Sequence, residues 1–407
     1  APAGSRDSEG TGGIGGDGVM ARLGDIFTIS SGGTPDKRQA KYYENGTISW
    51  VKTGDLKEKY VSHNIERITQ EGLDNSSAKL FPADTVLVAM YGATIGACSI
   101  LGFEASTNQA CAAFLPTSKV LPDYLYYFLQ SKKDIFVQSS VGGAQPNISA
   151  GYLKRFPFDI IPVESQRKII SALDSVSTLI SLRKQQLAKL DELVKARFVE
   201  MFGDLADPYC KFKKCTLAET CLDADDIKCG PFGTQLSKDE YQNEGIAVWE
   251  IPQINNGFTS KPTHFLTIEK AEQLKAYSIE PGDIAMSRKG NVGKCGVFPD
   301  YYEPGIIHSD VLRIRVDSKR VIPCFMMYQL HFSRAVQYQI ETVSSGAIMA
   351  GINVTKLKQI EVYVPEYELQ QRFSGFVGKV DRQKLTIQQS LDKLEVLRKS
   401  LMQEYFG

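Results

Sequence analysis

The phrase KLDELVKARFVEMFG at residues 189–203 returns as KLEVLRKSLMQEYFG at residues 393–407, with identities that include Lys189/Lys393, Leu190/Leu394, Leu193/Leu397, Lys195/Lys399, Phe202/Phe406 and Gly203/Gly407. A period of about two hundred residues is too long for a solenoid and marks a duplicated half. Further markers follow the same spacing. Trp50 answers Trp249, Gly33-Thr34 answers Gly233-Thr234, and Asp84 answers Asp283. Gly92, Ile95-Gly96 and Cys98 answer Gly290, Val292-Gly293 and Cys295, and Asn147-Ile148-Ser149 answers Asn353-Val354-Thr355. Pro162, ahead of Gln166-Arg167, answers Pro365, ahead of Gln371-Arg372. The offset drifts between about 197 and 206, as loop insertions between old duplicates require.

Each half has two parts. The first is strand-like, with short runs such as DTVLVAM, CAAFLP, VLRIRV and QIEVYVP broken by Gly, Pro and Asn, and with a helical stretch at 122–138. The second reads as one long helix. Leu173, Ile180, Leu187, Val194 and Met201 recur every seven residues with Val176 and Leu190 beside them. Val380, Ile387, Leu394 and Leu401, with Val377 and Leu391, repeat the pattern. Helices of about 30–35 residues would be roughly 45–52 Å long. So narrow a seam needs a partner helix, and the other repeat supplies it.

The expected fold is therefore α+β: two mixed α/β domains joined by two long antiparallel coiled-coil helices, related by a pseudo-two-fold internal repeat. The boundaries read as a disordered leader or linker at 1–20, with Met20 as the natural start, then a first domain at 21–162 and a first spacer helix at 163–203. A second domain at 204–365 and a second spacer helix at 366–407 follow.

Composition excludes several classes. Lys+Arg and Asp+Glu balance at 47 each, so this is no wholly basic nucleic-acid binder; contacts to an anionic polymer must be local or shared with a partner. Eight cysteines and no signal peptide point to a reducing, cytoplasmic setting. Cys210, Cys215, Cys221 and Cys229 cluster without C-x2-C spacing or a near histidine, which argues against zinc. The uncharged run at 85–103 has the length of a membrane span, but its counterpart carries Arg288, Lys289 and Lys294, so it reads as a buried β-hairpin. Gly10–Gly15 matches a dinucleotide fingerprint with no strand before it, and is noise. Pro35-Asp36 with Asp55-Leu56-Lys57 fits a short nuclease pattern that the second half lacks.

Two similar but non-identical readers about a dyad match duplex DNA, whose strands are dyad-related. A spacer on the order of 50 Å would span at most about 15 bp. At this point the chain resembles the specificity (S) subunit family of type I restriction-modification systems. The resemblance rests on LGDIFTISSGGTP (23–35), WVKTGDL (50–56), STNQA (106–110) and GGAQPNIS…LKRFPFDIIPVESQRKI followed by the heptad helix ending FGD, and covers 21–407. It implies two target recognition domains, each reading one half of a split asymmetric DNA site. It implies spacer helices that set the gap and dock two methyltransferase subunits, with restriction subunits where the system has them. It implies no catalysis in this chain: S-adenosylmethionine belongs to the methyltransferase partner, and ATP and Mg to any restriction partner. The residues agree, since N-P-P-F, D-P-P-Y and Walker A sequences are absent. The alternative is a free-standing two-domain DNA-binding regulator, which would want a net basic surface; a purely structural coiled-coil scaffold would not need two divergent loop sets.

Base reading needs donors and acceptors on loops, with cations nearby for phosphates. The first domain offers Thr34, Lys37, Arg38, Lys52, Thr53, Tyr91, Thr94, Asn108 and Gln109. The second offers Thr234, Gln235, Gln253, Asn255, Arg288, Lys289, Asn291, Lys294, His308, Ser309 and Asp310, the last trio replacing Thr107, Asn108 and Gln109. Asn108 and Gln109 have an equal reading as satisfiers of buried backbone, and Trp50 and Trp249 read as core. Segments 142–149 and 344–355 are either DNA-facing loops or joints to the spacers. Partner contacts are expected at Arg183, Lys184, Lys189, Lys195, Lys384, Lys393 and Lys399 on exposed helix sides.

Overall fold

The computed structural model describes residues 19–140, 147–203, 210–344 and 351–407. The leader assigned to 1–20 lies outside the described residues up to 18, and Val19 and Met20 already belong to a strand, Val19–Arg22, paired antiparallel with Pro157–Ile160. Residues 142–146 and 345–350 of the two joint-or-loop segments also lie outside. The described chain forms two compact units: residues up to 183 with 390–407, and residues 184–389. No helix among the described residues is long and apolar enough to cross a membrane.

In unit 1 the antiparallel sheet runs Ile29–Ser31, Cys111–Phe114, Val86–Ala89, Cys98–Ile100. A second sheet runs Arg67–Ile68, Ile48–Val51, Ala105–Thr107, Leu80–Phe81, with its central pair parallel. Unit 2 repeats both: Ile227–Cys229, Val311–Ile314, Ile284–Ser287, Cys295–Val297, and His264–Leu266, Ile246–Trp249, Gly305–Ile307, Ser278–Ile279. The uncharged run at 85–103 is a buried hairpin, Val86–Ala89 on Cys98–Ile100.

Strand register gives the equivalences that sequence matching only approximates. Trp50 lies opposite Ser106, whereas Val248 lies opposite Ile306 at the same place in the repeat, so Trp249 corresponds to Val51. Because successive strand residues face opposite ways, the two tryptophans sit in different cores. Trp50 packs with Ile68 and Ala78, and Trp249 with Ile254, Phe258 and Phe298. Asp84 likewise corresponds to Gly282, since Asp84 N bonds Leu101 O as Gly282 N bonds Phe298 O. Both are left-handed, at φ 65° and 93°. Asn353 answers Ser149, not Asn147: each caps the short helix that follows.

The long helices are Val163–Phe202 and Tyr367–Phe406. Gln166 and Gln370, each the fourth residue of its helix, are fully buried and make the same three bonds. Gln166 accepts from Leu121 N (2.8 Å) and donates to Lys119 O and Ile161 O (both 2.9 Å). Gln370 accepts from Ile322 N (2.9 Å) and donates to Arg320 O (3.2 Å) and Pro365 O (2.8 Å). The partner of Gln166 is thus Gln370, while Gln371 is exposed.

The repeated phrase ends each helix in a plug. In unit 2 Phe202 packs on Phe325 (4.8 Å between centroids) and Phe373 (5.5 Å). In unit 1 Phe406 packs on Tyr124 (5.3 Å) and Phe128 (6.1 Å). Gly203 N bonds Val199 O and Gly407 N bonds Gln403 O, closing both ends alike; Gly203 takes φ 72°. Within unit 2 the helices run antiparallel, with Phe198 on Phe373 (5.5 Å), the Arg197 guanidinium over Phe376 (5.9 Å) and Asp191 paired to Lys384. Of the heptad seam, Leu173, Val176, Ile180, Val194, Val377, Val380 and Leu391 are buried; Leu187, Leu190, Met201, Ile387, Leu394 and Leu401 are half-buried.

Each plug belongs by sequence to one half and by packing to the unit holding the other half's recognition domain. Phe→Ala in a core costs roughly 3–5 kcal/mol. Phe406→Ala is expected to destabilise the unit reported by Trp50, and Phe202→Ala the unit reported by Trp249. Urea unfolding followed by fluorescence, with the other tryptophan replaced by Phe, separates the two; loss in the opposite unit would refute the assignment.

Candidate nucleic-acid interface

The parallel pairing of Ile48–Val51 with Ala105–Thr107 puts the loops that follow both strands on one edge. Backbone bonds gather the others there. Asn108 N bonds Val51 O (2.9 Å), Gly33 N bonds Thr107 O (2.9 Å), Met90 N bonds Ala110 O (2.8 Å) and Ile148 N bonds Met90 O (3.0 Å). Unit 2 repeats three of the four, with His308 N to Trp249 O (2.9 Å), Arg288 N to Asp310 O (2.9 Å) and Ile352 N to Arg288 O (3.2 Å). Pro231 stands in the place of Gly33 and has no N–H to donate, and Gly230 N bonds Val311 O (3.1 Å). Glycine is required where the strand passes the loop: a Cβ on Gly32 would lie 1.9 Å from Thr107 O, and one on Gly230 2.3 Å from His308 O.

These bonds fix the true counterparts. Asn108, Gln109 and Ala110 answer His308, Ser309 and Asp310, one residue off the sequence pairing; Gly32 answers Gly230, so Thr34 answers Phe232. Met90 and Tyr91 answer Arg288 and Lys289. The segment beginning at Asn147 lies beside the Tyr91 loop through a bridge between those two residues, and Ile352 takes the matching place.

In unit 1 the edge brings together Thr34, Tyr91, Asn108 and Gln109. The Thr34 hydroxyl donates to Gln109 Oε1. Asn108 Oδ1 accepts from Ala110 N (3.2 Å), so this side chain serves its own turn. Thr94 donates to Tyr91 O (3.1 Å) and shapes the hairpin tip, while the Tyr91 ring is 44% exposed. Lys52 pairs with Glu66 (2.5 Å), which raises its pKa, and lies over the Trp50 ring (5.9 Å) beside the half-buried Thr53. Lys37 and Arg38 are exposed; Arg38 is tied to Asp36, whose carboxyl its hydrogen bonds hold below the usual range.

In unit 2 the same edge is charged. Lys289 pairs with Asp310 (2.8 Å), and His308 Nδ1 accepts from Asp310 N (3.2 Å) beside the half-buried Ser309. Arg288 donates Nε–H to Ile352 O (3.0 Å) and stacks on Phe232 (4.7 Å), a half-exposed ring that sequence reasoning passed over although it adjoins Gly233-Thr234. Asn291 and Lys294 are exposed at the hairpin tip, as is Thr234.

Three candidates serve the fold instead. Gln253 is buried at 3% exposure and spans Glu250 N and Lys261 O (both 3.2 Å), so it is withdrawn as a reader; Asp55 does the equivalent work for Lys52 N (2.8 Å). Gln235 accepts from Phe232 N (3.1 Å) and the Tyr277 hydroxyl (3.0 Å), and Asn255 accepts from Ser287 Oγ (3.1 Å). A charge reversal also escaped the sequence reading: the Lys52–Glu66 pair is replaced at the same register by Glu250 with His264 (2.7 Å).

On the helices Lys184, Lys189, Lys195, Lys393 and Lys399 are exposed. Arg183 is half-buried, and Lys384 is half-buried and engaged by Asp191, so neither offers a fully exposed charge. Cys210, Cys215, Cys221 and Cys229 pack against the unit 2 core, and no described cluster is placed to hold a metal ion.

The family model for the type I restriction modification DNA specificity domain matches this chain twice, at 17–192 and 227–396. The chain belongs to that family. It is 27% identical over 188 residues to the Escherichia coli EcoR124I/EcoR124II specificity subunit, covering 45% of this chain and 46% of that one. A Methanocaldococcus jannaschii MjaIX specificity subunit match covers 44% of its relative, so the chain spans about half the length of these two. The Salmonella potsdam StySPI specificity subunit is 20% identical over 411 residues, covering 95% of this chain and 88% of that one. The crystal structure of the type I S subunit from M. genitalium matches the fold with TM-score 0.58 at 16% identity, over 97% of both chains.

His331 gives the interface of this specificity-family chain a pH limit. Its Nε2 accepts the Cys295 N–H (3.0 Å) at the foot of the Ser287–Cys295 hairpin, and burial, with Lys294 nearby, lowers its pKa. Unfolded, the imidazole titrates near about 6.5; folded, it titrates lower, so between the two values the unfolded state binds more protons. Stability is complete above about pH 6.5 and falls as pH drops below it. The Trp249-reported urea midpoint is expected to decrease from about pH 7.5 to about pH 5.5, and His331→Gln to remove that part of the decrease. An unchanged slope in the variant would rule the histidine out.

Proposed function

We propose that the chain is the DNA-sequence specificity subunit of a type I restriction-modification enzyme, non-catalytic itself, in which each unit's recognition domain reads one half of a bipartite asymmetric site. The observation that carries this is one edge built twice on three shared backbone bonds with different chemistry: Thr34, Met90, Tyr91, Asn108, Gln109 and Ala110 against Phe232, Arg288, Lys289, His308, Ser309 and Asp310. A shared scaffold with divergent side chains suits two half-sites of unlike sequence. The relatives' names as specificity subunits support the same reading.

The helix pair sets the gap between the half-sites and docks two methyltransferase subunits. A groove of ≈ 820 Å³ in unit 2, with Leu190, Leu193 and Ile387 between Lys189, Lys379 and Arg382, suits an acidic, amphipathic partner surface. S-adenosylmethionine is bound by the methyltransferase, and ATP and Mg by any restriction subunit. The balanced charge fits a chain that shares its phosphate contacts with such partners.

Co-expression with the methyltransferase partner, followed by methylation mapping through long-read sequencing, is expected to give a split motif with unequal halves that vanishes without this chain. Substitutions of Lys289, Asn291 or Lys294 should alter one half only. An unsplit motif, or both halves altered together, would refute the two-reader reading.

A further inference from the structure

On the unit 1 edge an exposed amide, that of Gln109, is held between two loops with one acceptor site left open, whereas Gln235 in unit 2 spends its Oε1 on both Phe232 N and the Tyr277 hydroxyl. Gln109 sits at the tip of the turn between Ala105–Thr107 and Cys111–Phe114. That turn is fixed by Asn108 N to Val51 O (2.9 Å), Cys111 N to Asn108 O (3.3 Å), Ala110 N to Asn108 Oδ1 (3.2 Å) and Met90 N to Ala110 O (2.8 Å). The side chain is exposed, yet its Oε1 is held by the Thr34 hydroxyl from another loop. Thr34 is itself located by the close pass of Gly32 and Gly33 over Thr107.

An exposed glutamine bound this way gains nothing for the core, since neither group would be unsatisfied in water. What the bond does is choose one orientation of the amide. With Thr34 on one lone pair, Oε1 keeps a second lone pair and the exposed Nε2 keeps its hydrogens for a partner. In the major groove only adenine offers the complement, an N6 donor beside the N7 acceptor; guanine places two acceptors there. We propose that Gln109 reads an adenine in the half-site taken by unit 1, with Thr34 as the positioning residue for its amide. Unit 2 cannot do the same, because Ser309 is too short for a bidentate contact and Phe232 stands in the place of Thr34. The proposal rests on the specificity-subunit reading above.

The test is methylation mapping of the full chain co-expressed with its methyltransferase. Gln109→Ala is expected to relax one adenine position of one half-site by roughly tenfold or more, leaving the other half unchanged. Gln109→Glu, an acceptor only, is expected to shift that position toward cytosine. Thr34→Val should relax the same position and Thr34→Ser restore it, which a merely structural threonine would not do. Relaxation at a position that is not adenine, or an unchanged motif in Gln109→Ala and Gln109→Glu, overturns the proposal while leaving the split motif standing. An unsplit motif in the parent protein defeats the underlying reading instead.

Discussion

Phe202 and Phe406 hold the architecture together. Each closes a forty-residue helix whose fourth residue, Gln166 or Gln370, is bonded into the domain the chain has just left. Each then enters a core on the far side of the duplication, on Phe325 or on Tyr124. A buried phenylalanine stabilises by roughly 1.5–3 kcal/mol, and the glutamine contributes geometry that a hydrophobic contact lacks, since three directed bonds accept one helix orientation. The chain therefore says the same thing twice because neither recognition domain completes its core from its own half.

That dependence explains what was legible in the sequence. The heptad seam, the duplication and the hairpin at 85–103 all rest on periodicity or on paired identities, which survive divergence. Gly92, Gly96, Gly290 and Gly293 matched correctly because positive φ at each leaves few other residues. The tryptophans misled because identity is not register. A strand shifted by one residue turns every side chain over, and the consequence is visible: Trp50 donates its indole N–H to Gly33 O (3.0 Å), while Trp249 Nε1 has no partner among the described residues. The glutamine clamps were hidden for a related reason, since Gln370-Gln371 offers two candidates and only the helix start decides between them.

The recognition edge was legible as a set of loops and not as a set of readers. Sequence brought Thr34, Gln109, Lys289 and Asp310 to notice by type, but it could not show that Asn108 and Gln253 spend their amides on their own turns and Asn255 on Ser287. Nor could it show that Phe232 carries Arg288, because an aromatic beside a glycine has no chemical signature of its own. Polar residues on tight loops divide between satisfying backbone and facing a ligand, and only hydrogen-bond partners separate the two.

The exchange of Lys52–Glu66 for Glu250–His264 bears on how the two edges diverge. Both pairs occupy the same register on adjacent strands and both leave the strand ladder intact. Partly exposed pairs of this kind contribute little to stability, so a carboxylate in place of the lysine there is nearly neutral for the fold. For an anionic duplex it is not neutral, because a cation and a carboxylate at one place attract and repel the same phosphate. The same logic applies at Ala110 and Asp310, where a methyl group and a carboxylate hang from one backbone bond. A scaffold whose loops are fixed by main-chain bonds can change its side chains without moving them, and the proposed reading of two unlike half-sites within one chain requires that freedom.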